Sequence, residues 1–469
     1  MPLHPSIFRE YDIRGVVPST LSPEDALLIG RAFGARVGKP GRICVGYDGR
    51  LSSPALRDAL TRGLVESGHR VLDTGLGPTP QLYFAVYALK ADAGIMVTGS
   101  HNPPDQNGFK FMLGTKPFFG DDIRKLREAG QGAFTPQTGG STEPTPVADQ
   151  YIDALVSAYS NKKPLRIAWD AGNGAAGQVM AALCKRLPGT HILLNETIDG
   201  TFPAHHPDPT EPKNLVQLID EVRRSHCDAG IAFDGDGDRI GVVDDEGEIL
   251  WGDQLMMFYA AAVLQENPGA TIIADVKASQ LLFDEIARLG GTPLMWKTGH
   301  SHIKSKMAET GALLAGEMSG HIFFADKYFG FDDGLYAAVR LLALQAASGK
   351  PLSAWRKSLP RVVNTPELRF PCDDDRKFAV VEEVRGRLID ENQHSSSGAV
   401  VHINNVDGVR VQTTDGWWLL RASNTQAMLV ARAEAKDATG LKRLKEALRK
   451  QLAISKVARP DYPVTKTAL

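Results

Sequence analysis

The chain has 469 residues, enough for roughly three domains at about 150 residues each, give or take one. Hydrophobic residues at 43% and charged residues at 23% are ordinary for a globular fold, and 46 Gly and 28 Pro spread along the chain exclude collagen-like and low-complexity architectures. A formal net charge of −2 excludes the basic excess that nucleic acid or an anionic membrane requires, so an anionic substrate has to meet a local cluster of cations.

Cys44, Cys184, Cys227 and Cys372 lie far apart with no C-x-x-C pair, which argues against a disulfide framework and a thiolate zinc site. A reducing cytoplasm is the expected compartment. MPLHPSIFREYDIRG has no apolar signal core, and the most apolar run, Leu255 to Leu264, is too short to span a bilayer.

The first predicted unit is RICVGYDGRLSSPALRDALTRGL, where a β-rich run passes through small residues into a helical stretch. A buried strand feeding an amphipathic helix is a βα unit, and such units place helices on the faces of a sheet. LRIAWDAGNGAAGQVMAAL and TIIADVKASQLLFDEIARL repeat the pattern further along, which predicts three related α/β domains.

Between the first two units, AGIMVTGSHNPPDQNGFKF carries a strand into a loop. Ser100 follows a flexible glycine and precedes a proline-stiffened turn, so its hydroxyl is expected on a rigid exposed loop. His101 invites a Ser/His nucleophile reading. Neighbours in an extended chain point to opposite faces, however, so His101 is expected to be a poor base for Ser100. The G-x-S-x-G elbow is also absent, because Asn102 stands at its last glycine. A capping or turn serine is the alternative. GAFTPQTGGSTEPTPVADQ, from Gly132, reads as a domain boundary.

FPAHHPDPTEPKNL contains His205 and His206, which lack the spacing of a helical metal site and read as a rigid structural loop. AGIAFDGDGDRIGVV is the sharpest local signal. In an extended loop, Asp234, Asp236 and Asp238 point the same way and converge. Three carboxylates raise one another's pKa values unless a cation sits among them, and an all-oxygen set favours Mg²⁺ or Ca²⁺. An EF-hand fails, because Arg239 holds its glycine position and Asp245 its last glutamate position. A polar hairpin loop is the alternative. Arg239 beside the carboxylates points to a further anion. VVDDEGEILWGD reads as a hairpin around Asp245-Glu246-Gly247, with a second domain break after it.

In AGEMSGHIFF, Glu317, Ser319 and His321 alternate, so an extended segment places them on one face that suits sugar hydroxyls. A solvated loop is the alternative. A third break falls near Ser358-Leu359-Pro360. Beyond it, NTPELRFPCDDD, GAVVHINNVDGVRVQTTDGWWLLRAS and AMLVARAEA read as strands, and KFAVVEEVRGRLID and ATGLKRLKEALRKQLA as helices. This pattern predicts an α+β layer with an antiparallel sheet. Arg421, Ser423, Asn424 and Thr425, between its last two strands, suit a phosphate or form a polar β-turn. Arg14, Lys110, Lys277 and His300 each read, taken alone, as surface residues.

Taken in order, FREYDIRG, TGSHNPPDQNGFK, DGDGDR, GEMSGH and RASNT resemble the α-D-phosphohexomutase superfamily, and within it the bacterial phosphomannomutase/phosphoglucomutase group, over nearly the whole chain. The resemblance implies an α/β protein of four domains around a central cleft, three of them related α/β domains with mixed sheets covered by helices. These are 1–146 with a phosphoserine loop, 147–247 with a metal loop and 248–361 with a sugar-recognition loop. A C-terminal α+β domain, 362–469, carries a phosphate-binding loop and closes over substrate.

The implied reaction moves phosphate reversibly between the 1- and 6-positions of glucose and mannose phosphates, through a phosphoserine at Ser100 and a hexose 1,6-bisphosphate. Ser100, Asp234, Asp236 and Asp238 would hold one Mg²⁺. Ser100, Lys110, His300, Arg14 and Arg239 would be catalytic. Lys110 and His300 match positions that manage the hydroxyl proton, although an ordinary Lys needs a depressed pKa to accept one. Tyr11, Arg239, Lys277, Thr298, Gly299 and His300 would contact substrate. Glu317 and Ser319 would grip sugar hydroxyls, with His321 beside them. Arg421, Ser423, Asn424 and Thr425 would hold the non-reacting phosphate.

Glucose 1,6-bisphosphate is the implied activator. The expected partners are small sugar phosphates, with no nucleic acid and no membrane, for a cytoplasmic monomer. Gln426-Ala427 replaces a proline found in many relatives, which changes loop stiffness slightly. The resemblance also implies glucose and mannose phosphates over glucosamine phosphate, because relatives acting on the amino sugar usually show a different residue in place of Met318. The alternatives are a phosphoglucosamine mutase, a metal-dependent sugar phosphatase and a non-enzymatic sugar-phosphate sensor. The last is disfavoured because the full catalytic set is present.

Overall fold

The computed structural model describes residues 3–130, 132–160, 163–394, 400–424 and 426–457. Three of its sheets repeat one topology. In the first, strand Arg42–Tyr47 lies between two parallel neighbours, Arg70–Leu76 and Ala93–Val97, and Ala93–Val97 then pairs antiparallel with Gln106–Leu113. In the second, Leu165–Asp170 lies between parallel Gly189–Leu194 and Ala229–Phe233, and the latter pairs antiparallel with Ile240–Asp244. In the third, Thr271–Asp275 lies between parallel Thr292–Trp296 and Leu314–Gly316, and the latter pairs antiparallel with Ile322–Phe324.

The three predicted βα units are the middle strands of these trios with the helices Ser53–Glu66, Gly177–Cys184 and Gln280–Arg288 that follow them. Parallel strands are covered on both faces and therefore read as continuous apolar runs. Ala93–Val97 and Ala229–Phe233 are buried at every position. The strand that turns back antiparallel needs no crossover helix, so a short loop suffices. That loop falls at the carboxyl end of the parallel trio, where α/β sheets present ligands. Residues 98–105, 234–239 and 317–321 are these three loops.

Strand Ile13–Val16 pairs antiparallel with Gln106–Leu113 and brings Arg14 beside the first loop. Ile249–Leu250 pairs with Ile240–Asp244 and forms the predicted hairpin.

The fourth sheet is antiparallel at every described pairing, as the alternating strands predicted. Helices Lys377–His394 and Ala438–Ile454 cover it, with Val380, Val384, Leu444 and Leu448 packed against Trp418 and Leu420. Its hairpin between Gly416–Ala422 and Met428–Ala435 carries the RASNT stretch.

One continuous core joins the first three sheets. Helix Thr79–Ala88 of the first is buried from Thr79 to Val86, and its Tyr83 and Phe84 share a cluster with Trp169 and Phe233 of the second sheet and Tyr336 beyond the third. Burial of Phe84 and Phe233 contributes roughly 2–3 kcal/mol each. Asp333 adds a polar tie, accepting from Tyr151 Oη, Tyr328 Oη and Tyr336 N. This packing fixes the three loops relative to one another. Among the described residues, no helix is long and apolar enough to cross a membrane.

Candidate active site

Ser100 has a φ of +50°, in the left-handed region. A non-glycine residue there stores strain and marks a place of functional interest. The turn puts His101 Nδ1 3.1 Å from Ser100 Oγ. The opposite-face expectation is thus corrected, because it assumed an extended chain. Burial, with Arg239 and Arg14 nearby, pushes His101 well below the usual histidine range. Ser100 is also 2% exposed rather than on an open loop. The metal loop covers it: a Cβ on Gly235 would lie 2.3 Å from Ser100 O.

The hydroxyl of Ser100 donates to Asp234 Oδ2 at 3.1 Å. Asp234, Asp236 and Asp238 are buried, and they offer carboxylate oxygens within 4.8 Å of one another. Their convergence comes from a turn, with Gly237 at φ +74°, and not from an extended loop. Asp236 Oδ2 accepts from Thr79 Oγ1, Thr98 Oγ1 and Lys110 Nζ, and Asp238 Oδ2 from Lys110 Nζ. Among the described residues, Asp236 Oδ1 makes no hydrogen bond and Asp238 Oδ1 meets only His321 Nε2, at 3.3 Å. Buried oxygens left in this state want a partner. The hard oxygen donors and the unpaired lone pairs fit a divalent cation. Burial, with Asp238 and Asp236 alongside, pushes Asp234 well above the usual carboxylate range. Lys110 and His321 outweigh burial at Asp238 and hold it well below.

Of the four residues expected at the surface, Arg14 is half-buried and the other three are buried. Lys110 is 4% exposed, and Lys277 and His300 are each 8% exposed. That expectation is corrected, because long-range partners enclose all three. Asp236 and Asp238 overcome burial at Lys110 and raise it well above its usual range, so it stands protonated. His300 opens helix His300–Thr310, and burial followed by Lys304 and Lys110 lowers it well below the usual range. Neither of its ring nitrogens makes a hydrogen bond among the described residues, although Asp332 Oδ2 lies 3.6 Å from Nδ1. Its ring stacks on His321 with centroids 5.7 Å apart.

The 317–321 segment is a turn, with Gly320 N donating to Glu317 O, and not the extended face expected. Glu317 Oε2 at 3.0 Å and Ser319 Oγ at 3.1 Å nevertheless meet the same atom, His321 Nδ1. Against the cost of burial, Asp238 and Glu317 raise His321 to about 9. Burial also opposes ionisation of Glu317, but His321, Lys277 and Gly299 N–H hold it at about 2.

The fourth sheet meets the third unit at several places, among them Arg410 Nη1 on Ala278 O, Arg432 Nη1 on Lys277 O and Ser279 Oγ on Glu434 Oε1, and its RASNT hairpin also reaches Tyr11 of the first. Arg421 Nε donates to Asp407 Oδ2, which also accepts from Thr298 N at 3.0 Å. Asn424 Nδ2 donates to Tyr11 Oη, and Tyr11 Oη donates to Thr298 O at 2.8 Å. Gly299 lies against the Tyr11 ring, where a Cβ would come within 2.5 Å. Lys277 Nζ lies 3.2 Å from Glu367 Oε2. Arg14 Nη1 donates to Asn102 Oδ1 at 3.0 Å, beside the serine loop. Arg239 Nε lies 3.3 Å from His321 Nε2. Ser423 lies in the same hairpin, its N–H on Met428 O, and Thr425 lies outside the described residues. The sequence reading missed Thr79 and Asp332, whose local residues carry no signal, and Thr98, although it opens the TGSHNPP stretch. It also missed Asp48 and Arg50, although Asp48-Gly49-Arg50 joins the strand of the first βα unit to its helix.

Family models for phosphoglucomutase/phosphomannomutase match the chain in four pieces. These are the alpha/beta/alpha domain I over 5–130, domain II over 149–247, domain III over 251–363 and the C-terminal domain over 367–451. A phosphomannomutase/phosphoglucomutase of Pseudomonas aeruginosa PAO1 is 45% identical over 449 residues, 95% of each chain. A phosphoglucomutase of Neisseria meningitidis serogroup A is 44% identical over 443 residues, 93% of this chain and 95% of its own. A crystal structure of a phosphoglucomutase/phosphomannomutase family protein from Burkholderia thailandensis superposes with a TM-score of 0.90 at 43% identity, covering 97% of this chain and 98% of that one. Fold and comparisons together define an isomerase of the phosphohexomutase class. The chain belongs to the phosphoglucomutase/phosphomannomutase family.

Proposed function

We propose that the protein, which interconverts hexose 1-phosphates and hexose 6-phosphates, works on glucose and mannose phosphates through a phosphoserine at Ser100 and a hexose 1,6-bisphosphate. The observation that carries this reading is Ser100 Oγ at 3.1 Å from Asp234, inside a buried triad of carboxylates. In the first half-reaction the bond from phosphorus to Ser100 Oγ breaks and a bond to the free sugar hydroxyl oxygen forms. In the second, after the bisphosphate turns over, the other phosphoryl group returns to Ser100.

Asp234, Asp236, Asp238 and Ser100 are the residues that would hold one Mg²⁺. Bound there, it supplies charge neutralisation for the phosphoryl oxygens. Lys110, Arg239 and Arg14 add fixed positive charge around the same group. The hydroxyl proton passes to and from the His300–His321 pair, in which one imidazole is held neutral and its stacked neighbour protonated. Lys110, which bonds Asp236 and Asp238, serves in this reading as fixed charge, and His300 as the group that takes the proton.

Glu317 and Ser319 grip sugar hydroxyls, with Lys277, Thr298, Gly299 and Tyr11 around the ring. Arg421, Ser423, Asn424 and Thr425 hold the phosphate that does not react, so one site serves both orientations of the sugar. Glucose 1,6-bisphosphate primes the serine. Relatives matching over nearly the whole chain are named as mutases, which disfavours a phosphatase. Four free cysteines fit a reducing cytoplasm.

The test is intact mass after incubation with glucose 1,6-bisphosphate and Mg²⁺. Wild type gains the mass of one phosphoryl group and Ser100→Ala gains none. Equal labelling of both, or full turnover by Ser100→Ala, overturns the proposal.

A further inference from the structure

Arg50 is a buried guanidinium, 1% exposed, that meets neither the acidic triad nor the proposed sugar contacts. The chain plants it at the end of strand Arg42–Tyr47, just before helix Ser53–Glu66 begins. Asp48 anchors it. Asp48 Oδ2 lies 3.2 Å from Arg50 Nε and accepts from Gly99 N at 3.1 Å, while Oδ1 accepts from Arg50 N and Ser53 Oγ.

The guanidinium then donates four hydrogen bonds into one loop. Nη2 reaches Ser100 O and Asn102 O, both at 2.7 Å. Nη1 reaches Pro103 O at 2.5 Å and Gln106 O at 2.8 Å. Burying a cation is costly unless it is paired and hydrogen-bonded, and well-packed apolar residues fill such a space at least as well. Stability alone is therefore a weak reason for Arg50. Its bonds specify geometry, because a planar fork restrains the direction of each carbonyl it holds.

The loop needs such a restraint, since Ser100 sits at φ +50°. The fit is close on both sides. A Cβ on Gly99 would come within 2.4 Å of Arg50 Cζ, and the Phe202 ring of the second unit lies 5.2 Å from the same atom.

We propose that Arg50 is a positioning residue for phosphoryl transfer: it holds the carbonyls of Ser100, Asn102, Pro103 and Gln106 and so fixes the left-handed turn that aims Ser100 Oγ at Asp234. The inference rests on the reading of Ser100 as phosphoryl carrier. Arg50 acts through Ser100 and touches no reacting atom. A lysine keeps the charge but cannot span four carbonyls from one nitrogen.

The experiment compares wild type, Arg50→Lys and Asp48→Asn. It measures kcat and KM for glucose 1-phosphate, the rate of phosphorylation by glucose 1,6-bisphosphate from intact mass, and the fraction folded. Displacement of a reacting group by about 1 Å costs on the order of 10²-fold in rate, and that loss is expected in kcat for Arg50→Lys. KM is expected to stay within about threefold, because the sugar contacts are untouched. Phosphorylation slows by the same factor as kcat.

Asp48→Asn keeps the size of the anchor and gives a smaller loss of the same kind, roughly tenfold. It carries the test if Arg50→Lys does not fold. Wild-type kcat in the folded variant, a rise in KM alone, or a loss equal to the unfolded fraction overturns the inference. A wild-type protein that neither turns over nor takes phosphate contradicts the reading of Ser100. An active wild type with an equally active Arg50→Lys contradicts only the role of Arg50.

Discussion

Ser100 Oγ donates to Asp234 Oδ2 at 3.1 Å, although the two residues are 134 positions apart and belong to different sheets. Each stands in the loop where the last parallel strand of its sheet turns back antiparallel. His321, in the equivalent loop of the third sheet, lies 3.3 Å from Asp238. The site is therefore one turn used three times with three chemistries: a hydroxyl, a carboxylate triad and an imidazole beside a carboxylate. Packing around helix Thr79–Ala88 holds the three turns together.

Ser100→Ala removes the acceptor atom and leaves its carbonyl bonds in place. Turnover is expected to fall by at least about 10³-fold, because a nucleophile acts as a unit with its partners. The unfolding midpoint is expected to match wild type. A coupled assay of glucose 6-phosphate formation, paired with thermal unfolding, checks both.

Asp234→Asn replaces a buried carboxyl whose ionisation is opposed by burial and by Asp238 and Asp236. Without added metal the variant is expected to unfold at a higher temperature than wild type, because it escapes that cost. With Mg²⁺ the order reverses. Wild type gains about 2.7 kcal/mol at a hundred times the dissociation constant, and the variant gains little. Thermal unfolding with and without Mg²⁺ reads this directly, and chelation returns wild type to its metal-free midpoint.

Tyr11→Phe deletes the hydroxyl that links Thr298 to Asn424. A buried hydrogen bond is worth about 1 kcal/mol, so KM for glucose 1-phosphate is expected to rise several-fold to roughly tenfold. The expected change in kcat is smaller, since Tyr11 lies away from Ser100. Steady-state kinetics at saturating Mg²⁺ decides it.

Much of this site was legible because its loops leave uniformly apolar strands, which mark the strand ends. Asp234, Asp236 and Asp238 could be read as a candidate cation site from their alternation at a strand end, and the three do converge. The turns themselves were not legible. A periodicity argument assumes regular strand dihedrals, so it misplaced His101, which a φ of +50° at Ser100 brings round to the hydroxyl. Burial was hidden for a different reason. Lys110 is enclosed by Asp236, 126 positions away, and nothing near NGFKF announces that partner. Arg50 followed a strand in a DGR triplet, but its four acceptors are backbone carbonyls, which carry no sequence signature.

Asp333 gives the protein a pH-dependent stability. Burial pushes its carboxyl from 3.8 up to about 7, against the hydrogen bonds from Tyr336 N, Tyr328 and Tyr151. Between these values the folded state binds a proton that the unfolded chain releases. Stability from this group therefore falls as pH rises through that window and levels off above it. The slope is at most about 1.4 kcal/mol per pH unit. The urea stability of wild type minus that of Asp333→Asn is expected to fall from pH 5 to about pH 7 and then level off.

The most direct measurement is phosphorus NMR of glucose 1-phosphate and mannose 1-phosphate in parallel, with Mg²⁺ and a trace of glucose 1,6-bisphosphate. Conversion of both to their 6-phosphates, with no inorganic phosphate released, is the predicted result. Steady release of inorganic phosphate, or no conversion of either sugar, would contradict a phosphoserine mutase acting on both.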